Sequence, residues 1–386
     1  MSLSRTLILA GAVAAWSGLL HAYVWGRLVR HPMWPAPWGK VLTIGIFALA
    51  VLVPLAFLAM RFLPRPINAP LAWVVYTWLG FALYLFLLSL LADLGRALLT
   101  LFGALPEDPE RRAFLARAIA GTIGALSGVV GLGGVVNVAR GFEVRHVRVP
   151  LSRLPKAASG YSIVQLTDVH VGPTIGKGFV ESVVREANRL AADMIVITGD
   201  LVDGTVEQLR ELVEPLRGLK AKDGVYFVTG NHEYYSGAHA WIHELRRLGT
   251  RVLLNEHVVL DHDGAKLAVA GVTDYSAHHF DPSHKSDPHA AVKGAPTGAP
   301  KVLLAHQPRS ASSAADAGYD LQLSGHTHGG QFWPWNLFVR LQQPFTAGLN
   351  RLGGMWIYIN RGTGYWGPPM RFGVPSEITL IRLVRG

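Results

Sequence analysis

Hydrophobic and polar positions follow different rules on the two sides of about residue 140. Before it, apolar residues run on with no polar face. Thr6–Gly26, Val41–Met60, Leu71–Ala92 and Ala118–Ala139 contain no Lys, Arg, Asp or Glu. Each run has about 20 residues, and a helix rising about 1.5 Å per residue then crosses a hydrocarbon core of about 30 Å. The pattern predicts four transmembrane helices over residues 1–140, with Trp25, Trp34, Trp38 and Trp73 near their ends as interfacial aromatics. The first run could be read as a signal peptide, but it is long and three more runs follow. Gly124 and Gly128 stand at GxxxG spacing and predict close helix packing. Gly131-Leu132-Gly133-Gly134 is not a dinucleotide fingerprint, because no strand leads into it.

Beyond about Glu143, short apolar strands alternate with amphipathic stretches. Strands are expected at Ser162–Thr167, Met194–Thr198, Val225–Thr229, Lys266–Val272, Lys301–Ala305, Leu321–Leu323, Trp356–Ile359 and Glu377–Leu383. Helices are expected at Lys177–Ala191, Val206–Arg217, Ala238–Leu248 and Arg309–Ala317. This alternation predicts an α/β domain over residues 141–386, large enough for its own core. Residues 274–300, rich in His, Pro, Gly and Ala, read as a long loop.

Composition narrows the classes. Only 16% of the 386 residues are charged and mean hydropathy is +0.27, which argues against a wholly soluble protein. The absence of Cys removes disulfide scaffolds, thiolate zinc sites, iron–sulfur clusters and cysteine nucleophiles. A net charge of +10 suits phosphate esters or an acidic lipid surface, and nothing points to specific nucleic-acid binding. With a cytoplasmic N-terminus, that side carries Arg5, Arg61, Arg65, Arg140, Arg145, Arg148, Arg153 and Lys156. The other side carries Arg27, Arg30, Lys40, Arg96, Arg111, Arg112 and Arg117. The Arg140–Lys156 cluster tips the balance towards a multi-pass cell-membrane protein with a cytoplasmic C-terminal domain.

Asp, His and Asn gather where the expected strands end: Asp168-Val169-His170, Gly199-Asp200 through Asp203, Gly230-Asn231-His232-Glu233, His306, and Gly325-His326-Thr327-His328. Strand ends form the ligand crevice of an α/β sheet. Oxygen and imidazole donors without thiolate suit Mn, Fe, Zn, Co or Mg as divalent ions. Seven donors exceed what one ion needs and suit two ions sharing a carboxylate. Taken singly, each cluster has a plainer reading: a strand-end turn for Asp168 and His170, a helix cap for Asp200, a turn for Asn231 and His232. Asp203 reads as orienting a ligand histidine, and Glu233 as either a supporting acceptor or helix N-terminal charge. His278, His279, His284 and His289 read as solvated loop histidines ahead of a third metal site.

The ordered series D-x-H, G-D-x-x-D, G-N-H-[DE], H, G-H-x-H resembles the motifs of the calcineurin-like metallophosphoesterase superfamily across Tyr161–Gln331. Gly325–Gln331 and the tail Gly362-Thr363-Gly364 with Pro369, Arg371 and Pro375 resemble its bacterial membrane-associated branch. The resemblance implies an α/β sandwich of two mixed sheets flanked by helices. It implies two divalent metal ions (Mn, Fe, Zn or Co). Asp168, His170 and His328 would bind the first ion and Asn231, His306 and His326 the second, with Asp200 bridging. His232 would be catalytic, facing the scissile phosphate and protonating the leaving oxygen. The expected reaction is in-line attack of an activated water on a phosphodiester or pyrophosphate.

The substrate is expected to be a phosphate ester, in a lipid or lipid-linked intermediate. Phe332–Val339 is strongly apolar beside the last motif, so it belongs to the core, a membrane or an acyl chain. Alternatives are a nucleotide phosphodiesterase, a phosphoprotein phosphatase, or a membrane transporter or sensor with a metal-binding domain. Charge-free runs count against transport.

Overall fold

A computed structural model gives the fold of residues 3–60 and 62–386, with side chains described from residue 11 onward. Arg61 and the side chain of Arg5, both used in the charge count, lie outside the described residues. The chain divides into a unit running to Val136 that also takes in Gly367–Met370, and a second unit of Asn137–Trp366 and Arg371–Gly386.

The first unit consists of helices α1 (Leu3–Trp25), α2 (Trp38–Met60), α3 (Arg65–Leu101) and α4 (Pro109–Ala139). Among the described residues three helices, α2 to α4, are long and apolar enough to cross a membrane. The first expected span, Thr6–Gly26, folds as α1 but is not among them. α3 and α4 outrun their apolar cores, since a helix persists wherever its backbone bonds are made. The extension of α3 carries Asp93, which accepts from Tyr23 Oη at 2.7 Å and pairs with Arg27 at 2.8 Å. Inside α1, buried His21 accepts from Trp78 Nε1 at 2.9 Å, so its Nδ1 carries the proton towards Ser17 O at 2.7 Å. The expected packing through Gly124 and Gly128 is not formed, because both face open space. The buried stripe of α4 is Ala120, Ile123, Ser127, Gly131 and Gly134. A Cβ on Gly131 would lie 2.5 Å from the Phe81 ring, so close approach happens there.

The second unit is a sandwich of two mixed six-stranded sheets, as expected from the resemblance. The first contains β1 (Phe142–Leu151), β2 (Ser162–Leu166), β3 (Met194–Ile197), β4 (Val225–Phe227), β5 (Arg251–Val252) and β12 (Ser376–Arg385), in the order β1-β12-β2-β3-β4-β5. The second contains β6 (Glu256–His262), β7 (Ala265–Gly271), β8 (Lys301–Leu304), β9 (Leu321–Ser324), β10 (Gly348–Leu352) and β11 (Met355–Ile359), in the order β10-β11-β9-β8-β7-β6. Strands β2, β3 and β4 run parallel, as do β7, β8 and β9.

Period-two alternation sends residues to two different cores. Ile163, Met194 and Val196 meet Leu267, Val302, Leu304 and Leu323 between the sheets. Val164, Ile195 and Ile197 pack outward on helices α5 (Lys177–Arg189), α6 (Val206–Val213) and α8 (Ala238–Arg247), through Val180, Leu209 and Trp241. Ala270, Leu303 and Ile357 meet Ala291 of α9 (Pro288–Val292) and Ala314 of α10 (Ala311–Asp316) on the far side. Strands buried on both faces need continuous apolar runs, which made them readable in the sequence.

The segment Arg140–Lys156, whose charge tips the expected topology, is largely strand β1, paired parallel to β12. Arg145 faces Glu143 at 3.3 Å and Arg153 pairs with Asp320 at 2.8 Å, so part of that charge is balanced inside the domain.

Candidate metal centre

Parallel strands point their C-terminal ends the same way, and here five of those ends meet. β2 delivers Asp168 and His170, β3 Asp200 and β4 Asn231, while β8 and β9 of the other sheet deliver His306, His326 and His328. Asp168, His170 and His328 form one group of close donors, and Asp200, His306 and His326 another. Asp200 Oδ2 lies 3.1 Å from His306 Nε2 and 3.9 Å from His170 Nε2. His170 Nε2 and His328 Nε2 are 3.0 Å apart, and His306 Nε2 and His326 Nδ1 3.2 Å apart. Lone pairs converging in this way suit a cation between them.

The backbone bends sharply to achieve it. Asp168, His170, Asp200, His326 and His328 all have positive φ, between 50° and 69°. Left-handed backbone disfavours side chains, and such strain concentrates at functional sites. The glycines permit close approach: a Cβ on Gly325 would lie 2.1 Å from Asp168 Oδ2, and one on Gly230 2.2 Å from Asp200 Oδ1.

The remaining nitrogens are anchored. His306 Nδ1 donates to Thr198 O at 2.8 Å, and Asp168 accepts from His326 N at 2.9 Å. Burial above all pushes the His326 imidazole down to about 3, keeping a lone pair free. Asn231 Oδ1 is buried with no hydrogen-bond partner. An orphaned buried carbonyl oxygen beside carboxylates and imidazoles is what a divalent cation would satisfy, so the residues fit the metal.

The sequence profile of the calcineurin-like phosphoesterase family matches residues 161–330. A Danio rerio protein described as a transmembrane protein with metallophosphoesterase domain is 34% identical, the match covering 94% of this chain and 85% of that one. A Bos taurus protein of the same description is 35% identical over 98% of this chain and 87% of its own. An uncharacterized metallophosphoesterase of Campylobacter jejuni is 30% identical over 95% of each. The chain belongs to the calcineurin-like phosphoesterase family. It is a phosphoester hydrolase dependent on divalent metal, which sets aside the transporter and sensor alternatives. Its apolar helices and the relatives named transmembrane proteins make it a membrane protein.

In this phosphoesterase His232 shares a further donor group with His170 and Asp200 and is less buried than either. Its backbone N–H donates to Asp200 Oδ1 at 2.9 Å, and its Nδ1 meets Asp203 Oδ1 at 2.6 Å. Burial lowers the imidazole's proton affinity, but the bond to Asp203 and the charges of Asp200, Asp203 and Glu233 outweigh it and push it up to about 9. Asp203 Oδ1 also accepts from His170 Nδ1 at 3.1 Å. The expected orienting role of Asp203 thus extends to two histidines.

Glu233 is both a supporting acceptor and a helix N-terminal charge. Its carboxylate accepts from Gly230 N at 2.6 Å, at the start of helix α7 (Asn231–Ser236). It also accepts from Asp200 N at 3.0 Å and Leu201 N at 2.8 Å, tying the β3 and β4 loops together.

Sequence reasoning gave three groups no role. Arg371 is completely buried under the last motif, its guanidinium donating to the carbonyls of Gly364 at 2.9 Å, Arg361 at 2.8 Å, Val374 at 3.3 Å and His328 at 3.4 Å. Tyr235 and Trp366 flank His232 with ring centroids 5.1 Å and 5.9 Å away. The apolar stretch after His328 is not core: Trp333 and Trp335 are each 54% exposed and Leu337 64%.

Proposed function

We propose that this phosphoesterase holds two divalent cations and hydrolyses a phosphodiester or pyrophosphate of a lipid or lipid-linked substrate. One observation carries the reading: a single carboxylate oxygen, Asp200 Oδ2, stands between two groups of donors. Asp168, His170 and His328 would hold one cation and Asn231, His306 and His326 the other, with Asp200 common to both. When bound, such a pair neutralises phosphoryl oxygens and acidifies a water lying between them.

The chain's own residues do the rest. Asp203 accepts the hydrogen bond of His232 Nδ1–H and leaves Nε2–H free to protonate the departing oxygen. The raised proton affinity keeps that imidazole charged at neutral pH. Glu233 fixes the loops that carry Asp200 and Asn231.

Support for the lipid portion comes from the exposed apolar loop beginning four residues after His328. Apolar surface of that kind, next to a site that handles charged phosphate, suits a molecule with an acyl or prenyl part. In this reading all four apolar runs form a multi-pass anchor, and the catalytic unit is cytoplasmic. The aromatic pair Tyr235 and Trp366, 61% and 55% exposed, favours a second reading, a nucleotide phosphodiesterase whose base stacks there.

The test is turnover by detergent-purified protein of model monoesters, nucleotide diesters and lipid-linked pyrophosphates, with Mn²⁺, Zn²⁺, Co²⁺ or Mg²⁺. His232→Ala and Asp200→Ala are both expected to abolish turnover, and only Asp200→Ala to lose metal. Equal metal loss in both overturns the division of roles.

A further inference from the structure

The His-rich loop brings together a second constellation of donors that the phosphoesterase site does not use. His239 from α8 and Asp281 and His284 from the 274–300 loop place one donor atom each within 4.8 Å of the others. His239 Nε2 lies 2.9 Å from Asp281 Oδ2, and the His239 and His284 rings are 5.0 Å apart.

The other polar atoms of the loop pair are already engaged, which fixes the directions of the free ones. Asp281 Oδ1 accepts from Ser283 N at 2.9 Å and from Ser283 Oγ at 2.6 Å, leaving Oδ2 turned to the histidines. His284 Nδ1 is held by Tyr234 Oη at 2.7 Å, and its backbone carbonyl accepts from Thr273 Oγ1 at 2.8 Å. That leaves His284 Nε2 as the free donor. Hydrogen bonds to the distal atoms of the ligands are the usual way a metal site is oriented.

An ion pair alone does not account for the arrangement. His239 has a side chain 74% exposed, and exposed pairs contribute about 0–1 kcal/mol. It also leaves His284 Nε2 with nothing to do.

We propose that His239, Asp281 and His284 bind one zinc-class divalent cation, at a site separate from the centre built on Asp200. Two imidazoles and one carboxylate suit Zn²⁺ far better than Mg²⁺ or Ca²⁺, which prefer oxygen. A water completes the tetrahedron. The cation clamps the turn carrying Phe280 onto α8. Phe280 packs on Tyr234 and Tyr235 with centroids 6.0 Å and 5.5 Å away, and Tyr235 packs on His232. Loading the clamp therefore steadies the aromatic rim of the phosphoesterase site.

The proposal stands independently of the two-cation reading, and one experiment separates them. Full-length protein is stripped with chelator, reloaded with Zn²⁺ alone, desalted, and its zinc counted by plasma mass spectrometry. Hydrogen exchange of residues 277–285 is followed with and without Zn²⁺. His239→Ala and His284→Ala are each expected to hold one zinc per chain fewer than wild type. Asp200→Ala is expected to lose zinc while keeping the protection that Zn²⁺ gives to 277–285. Because His239 is exposed, His239→Ala keeps the test decisive even if His284→Ala folds poorly. Unchanged zinc content in His239→Ala, or exchange in 277–285 that ignores Zn²⁺ in wild type, overturns the proposal and leaves an ion pair only.

Discussion

Arg371 offers the most demanding test of how the last motif is held. Its guanidinium is fully buried and faces four backbone carbonyls, two of them at 2.8 Å and 2.9 Å. Hydrogen bonds from a charged donor are worth about 1.5–3 kcal/mol each, so losing the two short ones costs about 3–6 kcal/mol. Against this, burial pulls the guanidinium down to about 10 from 12.5. At about 1.4 kcal/mol per unit, removing the buried charge gives back about 3 kcal/mol. Arg371→Met is therefore expected to destabilise by about 0–3 kcal/mol net, the longer bonds adding little. Arg371→Lys keeps the buried charge but loses the planar fork, so one carbonyl pair goes unserved with no relief, again costing about 1.5–3 kcal/mol. The conservative replacement should thus be no milder than the apolar one. At about 2–4 °C per kcal/mol for a domain of this size, Arg371→Lys should melt about 3–12 °C lower and Arg371→Met at most about 12 °C lower. Thermal unfolding of metal-free protein in detergent measures this, with exposed Arg382→Met as control. An Arg371→Lys protein that melts with wild type would refute the reasoning, since one ammonium would then serve where a fork is required.

Other expectations concern the site itself. In metal-free protein the protonated His232 contributes stability that is complete below its ordinary value of 6.5 and is lost as pH rises through about 9. Asp203→Asn should move the upper edge of that window down by about one to two pH units; superimposable curves of melting temperature against pH would show that Asp203 does not hold the imidazole. Gly325→Ala puts a Cβ 2.1 Å from Asp168 Oδ2, and displacing that carboxylate is expected to lower kcat/KM on the order of 100-fold, with loss of bound metal on analysis. Trp333→Ala combined with Trp335→Ala should depress hydrolysis of a lipid-linked substrate while sparing a soluble ester. Equal retention of both activities removes the lipid contact from the account.

Much of the fold could be read because its physics is local. β2, β3, β8 and β9 are short apolar runs that stop at polar residues, so strand and ligand loop were visible together. The rest needed the fold. Asp203 meets two histidines from different loops, and Arg371 reaches carbonyls of residues from His328 to Val374. No spacing in the chain encodes either meeting. β1 was hidden because its arginines and histidine masked the strand pattern. A GxxxG spacing marks a stripe of small residues but not which of the neighbouring stripes packs, and here it is Gly131's. Similarly, the composition of Phe332–Val339 could not separate a core segment from an exposed one. The His-rich loop reads as solvated in the sequence because its partner His239 sits 42 residues before Asp281.

Five side chains proposed to grip the cations sit on backbone that only glycine adopts at ease. Glycine at His170, His326 or His328 would relax the main chain while deleting a donor. Heat tolerance and turnover therefore pull in opposite directions at these sites. A laboratory selection that rewarded only survival on warming would drift towards a sturdier, inert protein.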